Sequence, residues 1–164
     1  MKTFAIATAI LFMATAGFGQ KQRPSPKDSS ETKNIKVNYG KPSKNGRDIF
    51  PGLEAYGKVW RTGANEATEI RFAVDGKFGG KPVKAGTYTL WTIPGEKEWS
   101  VILNSDYGFW GTKYDEHKEH DVLTVVVPAK HLDETVEKLN IRFEKNDLII
   151  EWDHTRIAVP VDFK

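Results

Sequence analysis

Apolar and polar residues alternate in short runs along most of this chain. In the first run, Ile35, Val37 and Tyr39 alternate with Lys36 and Asn38. Successive side chains of a β-strand point to opposite faces, so this two-residue period is typical of a strand with one buried face and one wet face. Runs of this kind lie at 35–39, 70–74, 99–103, 139–143, 148–152 and 157–161.

Two further runs, 88–93 and 122–127, are apolar on both faces and predict central strands. The second is expected to end at Pro128, because proline has no backbone N–H to donate to a neighbouring strand. Turn-forming residues separate the runs, as in the PGEK sequence at 94–97. The pattern predicts an all-β fold, an antiparallel β-sandwich or flattened barrel of about seven or eight strands.

Two segments do not follow the strand pattern. Residues 128–136 (PAKHLDETV) could form one or two helical turns. The stretch from Lys41 to Thr68 contains several glycines and Pro51 but no clean strand period. A connection this long within one compact domain is usually functional or has local structure of its own, so we expect one long irregular loop here.

The N-terminus has the features of a secretory signal. Lys2 precedes an apolar run of about 15 residues, too short to span a bilayer as a helix, and small residues follow it. This predicts a signal peptide at 1–19 with cleavage before Gln20, and therefore a periplasmic or extracellular protein. Residues 20–32 are polar and contain two prolines, so we expect a disordered lead-in to a single domain at 33–164.

The composition excludes several classes of site. The chain has no cysteine, which excludes disulfides, thiolate metal sites and a cysteine nucleophile. Its formal net charge is +2, with basic and acidic residues interspersed. Such a chain does not resemble a nucleic-acid binder, and we expect no membrane insertion once the signal is removed.

Several longer strings carry a resemblance to a known family. They are GKPSKNGRDIF, YGKVWRTGANEATEIRF, GKPVKAGTYTLWTIPGEKEWSVILN and WGTKYDE. From about Asn34 to the C-terminus, the chain resembles domain-of-unknown-function family 2911. The resemblance implies an exported bacterial β-rich domain with no established activity. The chain departs from the family pattern at His117 and His120, so chemistry at these histidines would be particular to this protein.

The first candidate site is the loop segment WRTGANE at 60–66. Arg61 and Asn65 can hydrogen-bond a polar ligand in a fixed geometry while Trp60 covers its apolar face. The alternative is structural: Trp60 could fill one end of the core, with Arg61 paired to Glu66 or Glu54.

A second candidate is the aromatic cluster at 107–114. Trp110 and Tyr114 occur around a glycine-flanked loop, where exposed rings could bind a sugar or could pack over a sheet edge. Trp99 and Trp152 share a strand face with aliphatic residues, which predicts that both belong to the core. The position of Trp91 stays open because its strand is apolar on both faces.

Metal binding and catalysis have weaker support. His117 and His120, three residues apart among carboxylates, could ligate a divalent ion on a helical turn, but the sequence offers no clear third ligand. We assign no metal ligand, no cofactor and no catalytic residue. Glu66 with Asp115 or Glu54 could serve a glycan or peptide hydrolase if two carboxylates faced each other.

The sequence therefore favours a noncatalytic binding module for a small molecule, a glycan or an envelope protein. A hydrolase is the second hypothesis, and a structural envelope-assembly protein recognised through a sheet edge is the third. The candidate ligand-binding residues are Trp60, Arg61, Asn65, Glu66, Trp110, Tyr114 and Asp115.

Overall fold

The computed structural model describes residues 25–163. The predicted signal peptide and its cleavage site lie outside this range. The strands are β1 (Lys27–Glu31), β2 (Ile35–Gly40), β3 (Thr68–Phe72), β4 (Gly76–Phe78), β5 (Lys81–Val83), β6 (Gly86–Ile93), β7 (Glu98–Asn104), β8 (Asp121–Glu144) and β9 (Asp147–Asp162). The helical segments are one turn at Ile49–Leu53, helix α1 (Tyr114–His117) and a 3₁₀ turn at Lys118–His120.

All nine strands belong to one antiparallel sheet. Their order is β1-β2-β3-β6-β7-β8-β9-β4-β5, and the sheet is not closed into a barrel. Among residues 25–163, strands make up 58% and helical residues 9%, so the prediction of an all-β fold is confirmed. Within residues 25–163, no helix is long and apolar enough to cross a membrane.

The sheet folds over one hydrophobic core because the long strand β8 pairs with β7 along its first part and with β9 along its second part, from Ala129 onward. The far end of β8 then returns to the first strands: the Ile141 N–H donates to the Tyr39 hydroxyl at 3.1 Å, and the Phe143 N–H donates to Ser30 Oγ at 3.3 Å. Apolar residues from β2, β3, β6, β7, β8 and β9 therefore share one core.

The residues after Pro128 form strand rather than helix. The prediction that a strand stops at Pro128 and that 128–136 forms helical turns is therefore wrong. Pro128 lies opposite Glu98 of β7, and the next residue already pairs with Ile157 of β9. Since the pairing partner changes here, the missing N–H of Pro128 does not break a continuous ladder.

The predicted lead-in also contains a strand. Residues 27–31 pair with β2 from Lys27 opposite Gly40 to Glu31 opposite Lys36. The prediction of disorder is wrong for these residues, while residues 20–24 lie outside the described range. An edge strand with one paired side needs no apolar pattern, which is why its polar sequence gave no strand signal.

Four large aromatic residues form the centre of the core on one side. Phe50, Trp60, Trp99 and Trp152 are all at least nine-tenths buried, and their ring centroids lie 4.9–6.3 Å apart. The prediction that Trp99 and Trp152 are core residues is confirmed. Phe50 and Trp60 come from the irregular 41–68 segment, so this loop contributes to the core as well as to the surface.

Candidate functional site

The loop that carries Arg61 is held against the end of β2 by a close backbone contact. The Ala64 N–H donates to the Gly40 carbonyl at 3.2 Å. A Cβ atom on Gly40 would lie 1.9 Å from the Ala64 carbonyl oxygen, so only glycine permits this approach. Thr62 and Asn65 both have positive φ, which turns the loop back toward β3. The loop is therefore fixed by the backbone rather than free in solvent.

The two loops predicted to form the ligand surface meet in the structure. Glu66 and Trp110 form an isolated β-bridge, and the Gly111 N–H donates to the Asn65 carbonyl at 3.1 Å. The Arg61 side chain lies directly on Gly111, where an added Cβ would come within 2.4 Å of Arg61 Cδ. Gly111 thus leaves the space that the Arg61 stem occupies.

Arg61 lines a cavity of about 480 Å³ beside this loop. Arg47, Glu54 and Asn65 also line it, and Trp152 and Leu53 provide apolar surface. The remaining lining residues are Ser25, Pro26, Lys41, Pro42, Ser43, Asn45, Gly63 and Ala64. The cavity thus combines apolar rings and side chains with a few convergent polar groups, the usual composition of a small-molecule site.

The two guanidinium groups in the cavity have no ion pair with any residue that the structure describes. Arg61 donates from Nε to the Gly63 carbonyl at 3.3 Å, and its terminal nitrogens have no hydrogen-bond partner among residues 25–163. Arg47 donates from Nε to the Lys44 carbonyl at 2.9 Å and from Nη2 to the Ser43 carbonyl at 2.7 Å. The backbone therefore holds both guanidinium groups in place without neutralising their charge.

Glu54 is the acidic group in the cavity. Burial raises the pKa of Glu54 to about 7, against the opposing attraction of the Arg61 and Arg47 charges. Burial dominates because it disfavours the ionised carboxylate, and no guanidinium nitrogen of residues 25–163 lies within 4 Å to offset it. Glu54 therefore changes its charge near neutral pH, where an ordinary glutamate is fully ionised.

This shift predicts a pH-dependent effect on stability. Because the folded-state pKa of Glu54 lies above its ordinary value of 4.5, its contribution to stability declines as pH rises from about 4.5 to about 7. Glu54→Gln should therefore be more stable than wild type above pH 7 by about 1–2 kcal/mol, with solvent screening of this half-buried group taken into account. Near pH 4.5 the two proteins should have equal stability. Denaturant unfolding at several pH values measures the difference.

The control for this prediction is Glu96→Gln, which removes an exposed carboxylate from the β6–β7 turn. That variant should follow wild type at every pH. An equal gain for both variants would contradict the assignment of the effect to Glu54.

Three predicted residues of the 60–66 segment lie outside this cavity or face away from it. Trp60 is 3% exposed and belongs to the core, and its Nε1 has no hydrogen-bond partner among residues 25–163. Glu66 lines a different depression of about 550 Å³ with Lys27, Glu69 and Phe109, and its carboxylate lies 3.5 Å from Lys27 Nζ. Asn65 does line the cavity, but its side chain donates to the Ser25 carbonyl at 3.1 Å.

The aromatic loop divides into exposed and packed residues. Trp110 is 50% exposed. Tyr114 packs against Trp91 with ring centroids 5.1 Å apart, and its hydroxyl donates to Asp121 at 2.6 Å. Burial and this hydrogen bond raise the pKa of Tyr114 above its ordinary range. The side chain of Asp115 is 93% exposed, so Tyr114 and Asp115 do not join Arg61.

The candidate hydrolytic carboxylates are dispersed. Glu54 lines the cavity of Arg61, Glu66 lines the other depression, and Asp115 faces solvent on α1. The two depressions share no lining residue. The pairing that the hydrolase hypothesis requires is therefore not formed.

The two histidines approach one aspartate. His117 Nδ1 lies 2.8 Å from Asp106 Oδ2 and His120 Nε2 lies 3.8 Å from the same oxygen, while the His117 ring stacks on Phe109. Among residues 25–163, no group of three or more histidine, aspartate or glutamate side chains could hold a metal ion.

Sequence reasoning missed the cavity positions of Arg47, Leu53 and Trp152. Arg47 and Leu53 lie in the long irregular segment at 41–68, and the length of that segment was the sequence feature that could have indicated them. Trp152 was predicted to be a core residue; it is one, but it also forms part of the cavity wall.

Fold and site together define an all-β antiparallel protein with a polar cavity beside its long loop. The chain belongs to the family described as "Protein of unknown function (DUF2911)", whose profile matches residues 22–161. The resemblance to family 2911 is thus confirmed. Comparison with curated proteins and with solved structures gives no match.

Proposed function

We propose that this protein is an exported, noncatalytic binding module that holds a small molecule in the cavity of Arg61. The observation that carries the proposal is the Arg61 side chain: it lines the cavity, its stem is packed on Gly111, and its terminal nitrogens have no partner in residues 25–163. Export rests on the signal-like sequence at 1–19.

The geometry favours binding over a structural role for Arg61. A structural arginine in a loop usually satisfies a carboxylate, but Glu66 is near Lys27, and no guanidinium of residues 25–163 lies within 4 Å of Glu54. A guanidinium that is held in place but not neutralised is suited to meet a ligand. Leu53, which is 44% exposed, would then contact the apolar part of the same ligand.

The Arg61→Ala variant separates the two roles. In a binding role Arg61 has no buried ionic partner, so its removal should change the free energy of unfolding by no more than about 1 kcal/mol. In a structural role, the loss would leave a buried carboxylate unpaired and cost about 3–5 kcal/mol. Denaturant unfolding distinguishes these values without knowledge of the ligand. A loss in the larger range would overturn the proposal.

Ligand binding is tested by thermal shift against a fixed panel of small molecules. The panel contains monosaccharides, dipeptides, and small aromatic compounds that include benzoate and its neutral amide, benzamide. A compound that binds the native state raises the melting temperature by mass action. We expect at least one compound to stabilise wild type and Arg71→Ala, which removes an exposed arginine from β3, but not Arg61→Ala. No response to the whole panel would contradict the proposed function.

A further inference from the structure

We propose that the cavity binds an organic acid as its anion, and that it binds this anion together with a proton on Glu54. The inference rests on the proposed binding function and specifies the class of ligand and the regulation of the same site.

The charges that line the cavity favour an anion. Among the residues that the structure describes, Arg61, Arg47 and Lys41 supply three positive charges to the cavity, and Glu54 supplies one carboxyl group. Lys41 is already paired, since its Nζ lies 2.7 Å from Asp28. The two guanidinium groups are not paired within the described chain, so they leave positive charge for a ligand. A guanidinium binds a planar carboxylate through two parallel hydrogen bonds, and this geometry favours a carboxylic acid over a neutral sugar.

The walls of the cavity fit an organic rather than an inorganic anion. Leu53, which lines the cavity, is 44% exposed, whereas Trp152 is 2% exposed and contributes only a small part of the wall. A volume of about 480 Å³ is far larger than a simple ion requires, and it lies within the usual range for small-molecule sites. An acid with an apolar body would place that body against Leu53 while its carboxylate meets Arg61.

Glu54 couples this binding to pH. An incoming carboxylate would lie in the same cavity as the Glu54 carboxyl, and like charges in one site disfavour ionisation of both. Burial already raises the pKa of Glu54 to about 7, so the proton needed to relieve this repulsion is available near neutral pH.

The other charged groups near this segment are either paired or exposed. On β9, Asp153 pairs with Lys44 and lies 3.9 Å from His154. Asp48, at the start of the helical turn before Glu54, is exposed. Glu54 is therefore the group in the cavity whose charge can change when the anion enters.

The consequence is an affinity that falls as pH rises. Below the pKa of Glu54 the carboxyl is already protonated, so the anion binds without proton uptake. Above this pKa the carboxylate must take up a proton each time the anion binds. Between about pH 6 and about pH 8, one unit on either side of the pKa of about 7, the dissociation constant should increase about tenfold. Glu54→Gln keeps the shape of the protonated side chain and removes the charge. Its affinity at pH 8 should match that at pH 6, about tenfold tighter than wild type at pH 8.

The test is calorimetric titration of the protein with benzoate, which stays ionised throughout this pH range. Benzamide, which has the same shape without the charge, should bind less tightly and without pH dependence. Arg71→Ala should behave as wild type. At pH 8 the observed binding enthalpy of wild type should depend on the ionisation enthalpy of the buffer, because a proton is taken up.

The outcomes separate this inference from the proposed function. If a neutral compound of the panel binds in an Arg61-dependent way and benzoate does not, the binding function stands and the anion proposal is wrong. If benzoate binds wild type equally well at both pH values, the coupling to Glu54 is wrong. If no compound binds, the proposed function fails as well.

Discussion

Trp99→Ala should lower the free energy of unfolding by about 3–5 kcal/mol. Trp99 is 2% exposed, and its ring meets Phe50 at 4.9 Å and Trp60 at 6.1 Å between centroids. Its Nε1–H donates to the Gly95 carbonyl at 3.1 Å, which joins the core to the β6–β7 turn. Alanine would remove these contacts and leave a cavity that the surrounding aromatic rings could fill only in part.

The matched control is Trp110→Ala, the same chemical change at a ring that is 50% exposed. We expect this variant to lie within about 0.5 kcal/mol of wild type, because an exposed ring makes few contacts that water cannot replace. Denaturant unfolding of both variants gives the comparison. Equal stabilities for the two variants would contradict the assignment of Trp99 to the core.

The strand faces were predictable from the sequence because they follow from local geometry. A period of two fixes which residues share a face, and Trp99 alternates with Ser100 in step with Val101 and Leu103. Trp152 follows Leu148 and Ile150 in the same way. No knowledge of strand pairing is needed for such assignments, and the structure confirms both.

The predicted strand ends were wrong where pairing with a strand distant in sequence overrides the local sequence pattern. Pro128 ends a strand in most contexts, but here it lies where β8 changes its partner from β7 to β9. The runs at 148–152 and 157–161, predicted to be separated by turn-forming residues, are instead one continuous strand, β9, in which Asp153 has a positive φ. In both cases the chain continues because a partner strand, distant in sequence, is available.

The candidate site was predictable only in part, because local composition can indicate a functional loop but not which residues meet it in the fold. The loop around Arg61 and the loop around Trp110 have unusual compositions, and the structure does bring Glu66 and Trp110 together. Tyr114 and Asp115 are the first residues of helix α1 and do not line the cavity, which residue type alone does not reveal. Arg47 and Trp152 reach Arg61 from distant parts of the chain, and only the folded topology places them there.

Asp153→Ala should also lower the free energy of unfolding by about 3–5 kcal/mol. The Asp153 side chain is 6% exposed, pairs with Lys44 and accepts a hydrogen bond from the Ile49 N–H at 3.1 Å. Burial acts to raise the pKa of Asp153, but the bonds from Lys44 and Ile49 outweigh it and hold the pKa below its usual value. Alanine would leave the largely buried Lys44 ammonium and a buried N–H unpartnered. It would also have to adopt a φ of 54°, which disfavours residues other than glycine, asparagine and aspartate.

Two further variants separate these causes. Asp153→Asn tolerates the positive φ and can still accept from Ile49, so it should lose less stability than Asp153→Ala. Lys44→Met removes the charge that Asp153 balances, and its effect should not add to that of Asp153→Ala because the two residues act as a pair. Additive losses in urea unfolding would show that the ion pair contributes little. Ile49 begins the turn that leads to Glu54 in the cavity. Asp153→Ala should therefore also lower the affinity for a ligand whose binding depends on Arg61, whereas Trp110→Ala should leave that affinity unchanged.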